Sequence, residues 1–170
     1  MPRKPMPPEI TVAIDPKLTG SGYAIAAGRK LVACGLATVP RDMRDLEGRI
    51  QYQADLIAGA CPAEPDTVVA EFPVVYPGAS QVGTPNDIVH LAALATGIAG
   101  FLAPDRLVLP TPREWKGTMP KAVHHERLRK DLPERVIAMI AASAPASKRH
   151  DVYDAAGLLF WYLDQLEIGA

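Results

Sequence analysis

Four acidic residues close or open segments that are otherwise apolar, and few folds accept carboxylates there. Asp15 ends Thr-Val-Ala-Ile-Asp, Glu71 ends Thr-Val-Val-Ala-Glu, and Asp151 and Asp154 lie in Asp-Val-Tyr-Asp-Ala-Ala-Gly-Leu-Leu. A carboxylate held against hydrophobic strands or helices is costly unless a cation or strong donors compensate. A divalent metal ion is the simplest compensation. Hard oxygen ligands drawn from three separated segments suit Mg²⁺ or Mn²⁺, which keep coordination positions open for substrate phosphates. The pattern points to a metal-dependent enzyme that acts on phosphodiesters.

Taken singly, each position has an ordinary explanation: Asp15 as a turn residue before Pro16, Glu71 as a surface charge at a strand end, Asp151 as a helix N-cap. Asp151 and Asp154 resist that reading as a pair. Three residues apart on a helix, they share a face and repel unless a cation sits between them.

The hydrophobic pattern supplies the elements that would gather these side chains. Ile10 to Ile14, Tyr23 to Ala27 and Leu31 to Val39 are β-rich runs, separated at Gly20-Ser21-Gly22 and Gly28-Arg29-Lys30, which predicts a three-strand meander. From Asp42 the period changes, and Leu46, Ile50, Ala54 and Ile57 predict an amphipathic helix to about Ala60. Thr67 to Ala70 predicts a short central strand ending at Glu71. Thr84-Pro85 opens a helix through about Leu102 that is apolar almost all round, and so is expected to be buried on several sides, with a second subunit as one candidate cover. Leu107 to Leu109 adds a strand. Lys121 to about Ala142 reads as helical with a break at Pro133, and a last helix runs from about Asp151 to Leu166.

At 170 residues the chain fits one domain, with residues 1–9 as a flexible extension. A hydrophobic fraction of 48% and a charged fraction of 22% argue against disorder. No apolar run reaches membrane-spanning length, and no signal-peptide core follows the N-terminus, so a cytoplasmic location is the expectation. Cys34 and Cys61 lack the spacing of a zinc knuckle or a disulfide framework. A formal net charge of -1 gives no global attraction to nucleic acid. The basic residues are instead crowded locally: Arg113, Lys116, Lys121, Arg127, Arg129 and Lys130, then Lys148 and Arg149.

These motifs resemble the RuvC-type Holliday-junction resolvases of the RNase H-like superfamily over nearly the whole chain. Ile14-Asp15-Pro16 and Thr19-Gly20-Ser21-Gly22-Tyr23 match the family's Ile-Asp-Pro-Gly and Thr-Gly-aromatic signature, with Lys17 in place of the usual glycine. Glu71 matches the fourth-strand glutamate, and Asp151-Val152-Tyr153-Asp154-Ala155 the closing Asp-x-x-Asp-Ala. His150, one residue earlier, reads as a surface histidine at a helix start. The resemblance implies an α/β fold with a mixed five-stranded sheet, a three-strand antiparallel meander and flanking helices. It also implies two Mg²⁺ or Mn²⁺ ions held by Asp15, Glu71, Asp151 and Asp154, and paired nicks in a four-way DNA junction by a homodimer joined through the helix at 84–102.

By the same resemblance, Lys116 and Lys121, with Arg113, fall where basic residues approach the scissile phosphate, on a loop shorter than the family's. Phe72 and Tyr76 fall on a loop that could wedge between bases at the branch point. Other readings stay open. An RNase H-like nuclease could instead cut flaps, forks or RNA-DNA hybrids. Asp15 to Gly22 also resembles the phosphate hairpin of the ATP-binding actin and sugar-kinase superfamily, and a non-catalytic DNA-binding module is a further alternative.

Overall fold

The computed structural model describes residues 7–74 and 84–168. Five strands, β1 (Ile10–Asp15), β2 (Gly20–Ala27), β3 (Lys30–Thr38), β4 (Thr67–Ala70) and β5 (Arg106–Val108), form one sheet in the order β3-β2-β1-β4-β5. The first three are the expected antiparallel meander; β1 pairs with β4, and β4 with β5, in parallel. Six α-helices accompany the strands: α1 (Leu46–Ala60), α2 (Pro85–Leu102), α3 (Pro112–Lys116), α4 (Lys121–Asp131), α5 (Glu134–Ser143) and α6 (Arg149–Ile168).

Side chains alternate between the two faces of a strand, and here the alternation sorts them by size. Val12, Ile14, Ile25, Val68 and Ala70 pack with Ala54, Ile57, Leu94 and Ile98 of α1 and α2. The opposite face carries Ala13, Ala24, Ala26 and Val69, which pack with Leu158 and Leu159 of α6 and with Val136 and Ile140 of α5. Alanines on that side let α6 lie close to the sheet. Each fully buried Leu or Ile contributes about 1.5–3 kcal/mol of transfer free energy. Gly22 takes the close approach further, because a Cβ there would overlap the backbone carbonyl of Asp151. Period-2 alternation also puts Asp15 on the face of Ala13, beneath the start of α6.

Most expected boundaries lie within a few residues of the observed ones. The first helix starts at Leu46 because the Asp45 carboxylate caps it, accepting from Gly48 N–H. Thr84 caps α2 reciprocally with Asp87, with Pro85 following. The break at Pro133 separates α4 from α5. Three features differ. The turn of helix at α3 falls in a stretch to which the sequence assigned no element, and a second capping box, Thr111 with Glu114, creates it. Helix α6 starts at Arg149, so Asp151 lies inside its first turn and is not its N-cap. Helix α2 buries only one stripe, Leu94, Ala95, Ile98, Ala99 and Leu102, whereas Val89 and Phe101 are exposed. At the N-terminus, Glu9 is tied down: its carbonyl accepts from Gly28 N–H at 2.7 Å and its carboxylate from the Thr67 hydroxyl at 3.0 Å. No helix among the described residues is long and apolar enough to cross a membrane.

Candidate active site

The parallel pairing of β1 with β4 sets Ile14 beside Ala70, and the Glu71 N–H continues the ladder by donating to the Ile14 carbonyl at 3.0 Å. Asp15 and Glu71 therefore leave neighbouring strands at the same sheet edge. Helix α6 begins above that edge and brings Asp151 and Asp154, which are 2% and 3% exposed, beside Asp15 at 7%. The positive end of the α6 dipole favours carboxylates in its opening turn.

Basic groups surround the four carboxylates. The Lys17 ammonium lies 3.0 Å from Asp15 Oδ2 and also contacts Asp151 Oδ1. His150 Nε2 is 2.9 Å from the same Asp151 oxygen, so this histidine reaches into the site although its side chain is 38% exposed. Glu71 Oε2 accepts from Trp115 Nε1 at 2.6 Å and from Lys116 Nζ at 2.8 Å. Asp154 Oδ1 is 2.8 Å from His125 Nε2, and Asp154 Oδ2 is 3.7 Å from the exposed Lys121 ammonium. His124 Nε2 lies 3.9 Å from Asp154 Oδ1 and is a buried nitrogen without a hydrogen-bond partner among the described residues.

Burial pushes the Asp15 carboxyl up to about 7; Lys17 opposes the rise, and the negative charges of Asp154 and Glu71 add to it. The carboxylates thus lie within electrostatic reach of one another. Burial alone would lower the Lys17 ammonium, but Asp15 and Asp151 outweigh it and hold Lys17 above its ordinary value. Burial lowers His124 and His150, against the pull of Asp154 and Asp151 respectively.

Among the described residues no group of three acidic, histidine or cysteine side chains forms a ready-made metal shell. The donor chemistry nevertheless fits a hard divalent cation. Asp15 Oδ1, Asp151 Oδ2 and Glu71 Oε1 take no hydrogen bond from a described residue. Burial lifts the Asp15 carboxyl to about 7, with the negative charges of Asp154 and Glu71 adding to the rise, and a bound cation would favour the ionised form against both.

Of the residues expected to touch nucleic acid, Arg113 is exposed on α3, and Lys121 is exposed at the start of α4 with its ammonium 3.7 Å from Asp154 Oδ2. Lys116 is partly buried on Glu71. Phe72 is half-buried, its N–H donating to the Pro110 carbonyl at 2.8 Å. Tyr76 lies outside the described residues. Sequence reasoning missed His124 and His125 and did not connect Trp115 with Glu71, whose carboxylate the indole orients. The available signal was two adjacent histidines buried in α4, a helix that is otherwise strongly polar.

This strand order is that of the RNase H-like fold. Within it, the chain has the fold of RuvC-type Holliday junction resolvases. The structure of T. thermophilus RuvC in complex with Holliday junction substrate superposes with a TM-score of 0.60 at 16% identity, covering 92% of this chain and 96% of that one. A second Thermus thermophilus RuvC structure gives 0.52 at 14% identity with the same coverage. The yeast mitochondrial Holliday junction resolvase Ydc2 gives 0.58 at 11% identity, covering 95% of this chain and 80% of that one. No protein-family model matches the sequence, and no curated protein matches it at the sequence level.

Proposed function

We propose that this chain is a divalent-cation-dependent endonuclease that resolves four-way DNA junctions. The observation that carries this reading is the gathering of Asp15, Asp151 and Asp154 at one sheet edge, with Glu71 beside them, in a fold shared with junction resolvases. A surface that only bound phosphates would gain nothing from four negative charges.

Asp15, Glu71, Asp151 and Asp154 are the residues that would hold the cation. When bound, it would supply Lewis-acid activation of a water and stabilisation of the leaving 3′ oxygen. The chain's own groups do the rest. Trp115 and Lys116 fix one oxygen of Glu71 and leave the other turned to the site. His125 orients Asp154 from behind. Lys121 and Arg113, both exposed, would meet phosphate oxygens of an incoming strand, and Phe72 would contact bases arriving at a branch point.

Two nicks placed symmetrically in a junction require two copies of the site, which a two-fold dimer supplies. The exposed stripe of α2 that includes Val89 and Phe101 is the proposed contact between them. Phe101→Glu is expected to convert the dimer to monomer in sedimentation velocity and to uncouple the paired nicks; an unchanged sedimentation coefficient would remove α2 from the interface.

The deciding assay is incubation with labelled four-way junction, fork, flap, linear duplex and RNA-DNA hybrid, each with Mg²⁺, Mn²⁺ or chelator. Symmetrical nicks in the junction alone, dependent on the divalent ion, are expected. Preferential cutting of flaps or hybrids would reassign the substrate within the same fold, and no cutting of any substrate would overturn the enzyme reading.

A further inference from the structure

Lys17 stands where the resembled signature carries glycine, and the fold gives it a fixed position. Its N–H donates to Ser21 Oγ at 3.0 Å, and its carbonyl accepts from Gly20 N–H at 3.1 Å and from Gln53 Nε2 at 3.2 Å. Gln53 Oε1 in turn accepts from Ser21 N–H at 2.8 Å, and Ser21 and Gln53 are both fully buried. A glutamine in the interior of α1 therefore staples the β1–β2 turn from below. A lysine on so constrained a backbone is aimed, and its ammonium bridges Asp15 on β1 to Asp151 on α6.

An ammonium and a divalent ion cannot both occupy that space, because each needs the same carboxylate oxygens at contact distance and the two repel. We propose that Lys17 stands in for one of the two divalent ions of a two-metal nuclease centre, so that this site binds a single cation. The inference rests on the divalent-cation reading above. Charge supports it. Asp15, Glu71, Asp151 and Asp154 carry four negative charges, which Lys17, Lys116 and one divalent ion already balance before the more distant, exposed Lys121 is counted. A second divalent ion would leave the same shell strongly positive unless Lys17 withdrew. The oxygens of Asp15, Glu71 and Asp151 that take no hydrogen bond from a described residue lie on the carboxylates that Lys17 and Lys116 hold by their other oxygens, and these are the donors left for a cation. Lys17 is thus a positioning residue, holding one oxygen each of Asp15 and Asp151 before any cation arrives.

The test counts bound Mn²⁺ on the full-length chain by isothermal titration and by electron paramagnetic resonance, for the parent, Lys17→Gly and Lys17→Gln. Circular dichroism of each checks the fold, and the neutral, lysine-sized Lys17→Gln covers the case in which Lys17→Gly fails to fold. The expected result is one Mn²⁺ per chain in the parent, and two in a variant, with the spectrum of a spin-coupled pair because ions of a two-metal site lie about 3.5–4 Å apart. Two coupled ions in the parent would overturn the inference and leave the metal reading standing. One ion in parent and folded variants alike would also overturn it, since Lys17 would not be what excludes the second. No Mn²⁺ in any of the three would overturn both this inference and the metal reading beneath it.

Discussion

The two ends of the β1–β4 pair carry the same residue type and treat it in opposite ways. At the N-terminal end, the Asp66 carboxylate accepts from the Ile10 N–H at 2.6 Å, and Glu9 accepts from Thr67. There a neutral donor satisfies each carboxylate, and the charge locks one strand to the next. At the C-terminal end Asp15, Glu71, Asp151 and Asp154 are held by Lys17, Lys116, His125, His150 and the Trp115 indole, yet burial still pushes Asp15 up to about 7. Carboxylates that serve the fold each meet one donor. Those at the other end are buried together beyond what the fold needs, and an acid lifted so far by its surroundings marks a candidate site.

Breaking the C-terminal end should have the largest effect. Asp15→Asn is expected to cut junction cleavage by roughly a thousandfold, since a cation centre supplies several kcal/mol of transition-state stabilisation. Junction affinity in a gel-shift assay should hold or rise, because a negative charge leaves the surface. Equal cleavage rates for variant and parent at saturating Mg²⁺ would rule out the role.

The same substitution sharpens the contrast through stability. Burial raises the folded-state value of Asp15 from 3.8 to about 7, so the protonated form is the favoured one. Its contribution is complete below the unfolded value and is lost as pH climbs through the folded one. In chelator, Asp15→Asn should therefore gain stability relative to parent between about pH 4 and pH 7, by a few kcal/mol at most. Urea denaturation at pH 5 and pH 8 measures the gap, and a gap that did not widen with pH would contradict the buried-charge account.

At the opposite end the sign reverses. Asp66→Ala removes a charged acceptor from the Ile10 N–H and should cost about 1.5–3 kcal/mol in urea denaturation. At a temperature where the variant stays folded, its cleavage rate should match the parent's. The smallest effect belongs to Arg127→Ala on α4, whose exposed ion pair with Asp131 spans one helical turn. Such pairs contribute about 0.3–0.5 kcal/mol, so a change in melting temperature near the limit of detection is expected.

Much of this contrast was legible in the residue order. Apolar, β-rich runs located β1, β2, β3 and β4, and Thr84-Pro85 fixed the start of α2, because run composition and cap chemistry are local. The positions of Asp15 and Glu71 at strand ends followed from the same runs. The partners of those carboxylates were not legible. Whether Lys17 points into the site or into solvent depends on Gln53 in α1, and the link from Trp115 to Glu71 depends on a short helix set by Thr111 and Glu114. His124 and His125 reach Asp154 only because α4 packs on α6. Each is a long-range pairing, invisible to a window of neighbouring residues. The exposure of Val89 and Phe101 was hidden for another reason: an apolar stripe looks alike in sequence whether its cover is the same chain or a second one.

The missing side chain at Gly22 has a wider consequence. Because the α6 carbonyl at Asp151 rests where a methyl would be, the gap between the strand-borne and helix-borne acids is gauged by bare backbone, a ruler that no rotamer can adjust. Tolerances in this centre are then inherited from the sheet's own rigidity. Retuning the proposed cation preference by altering the acidic side chains would leave the calibre of the opening untouched, whereas enlarging this one position would reset it.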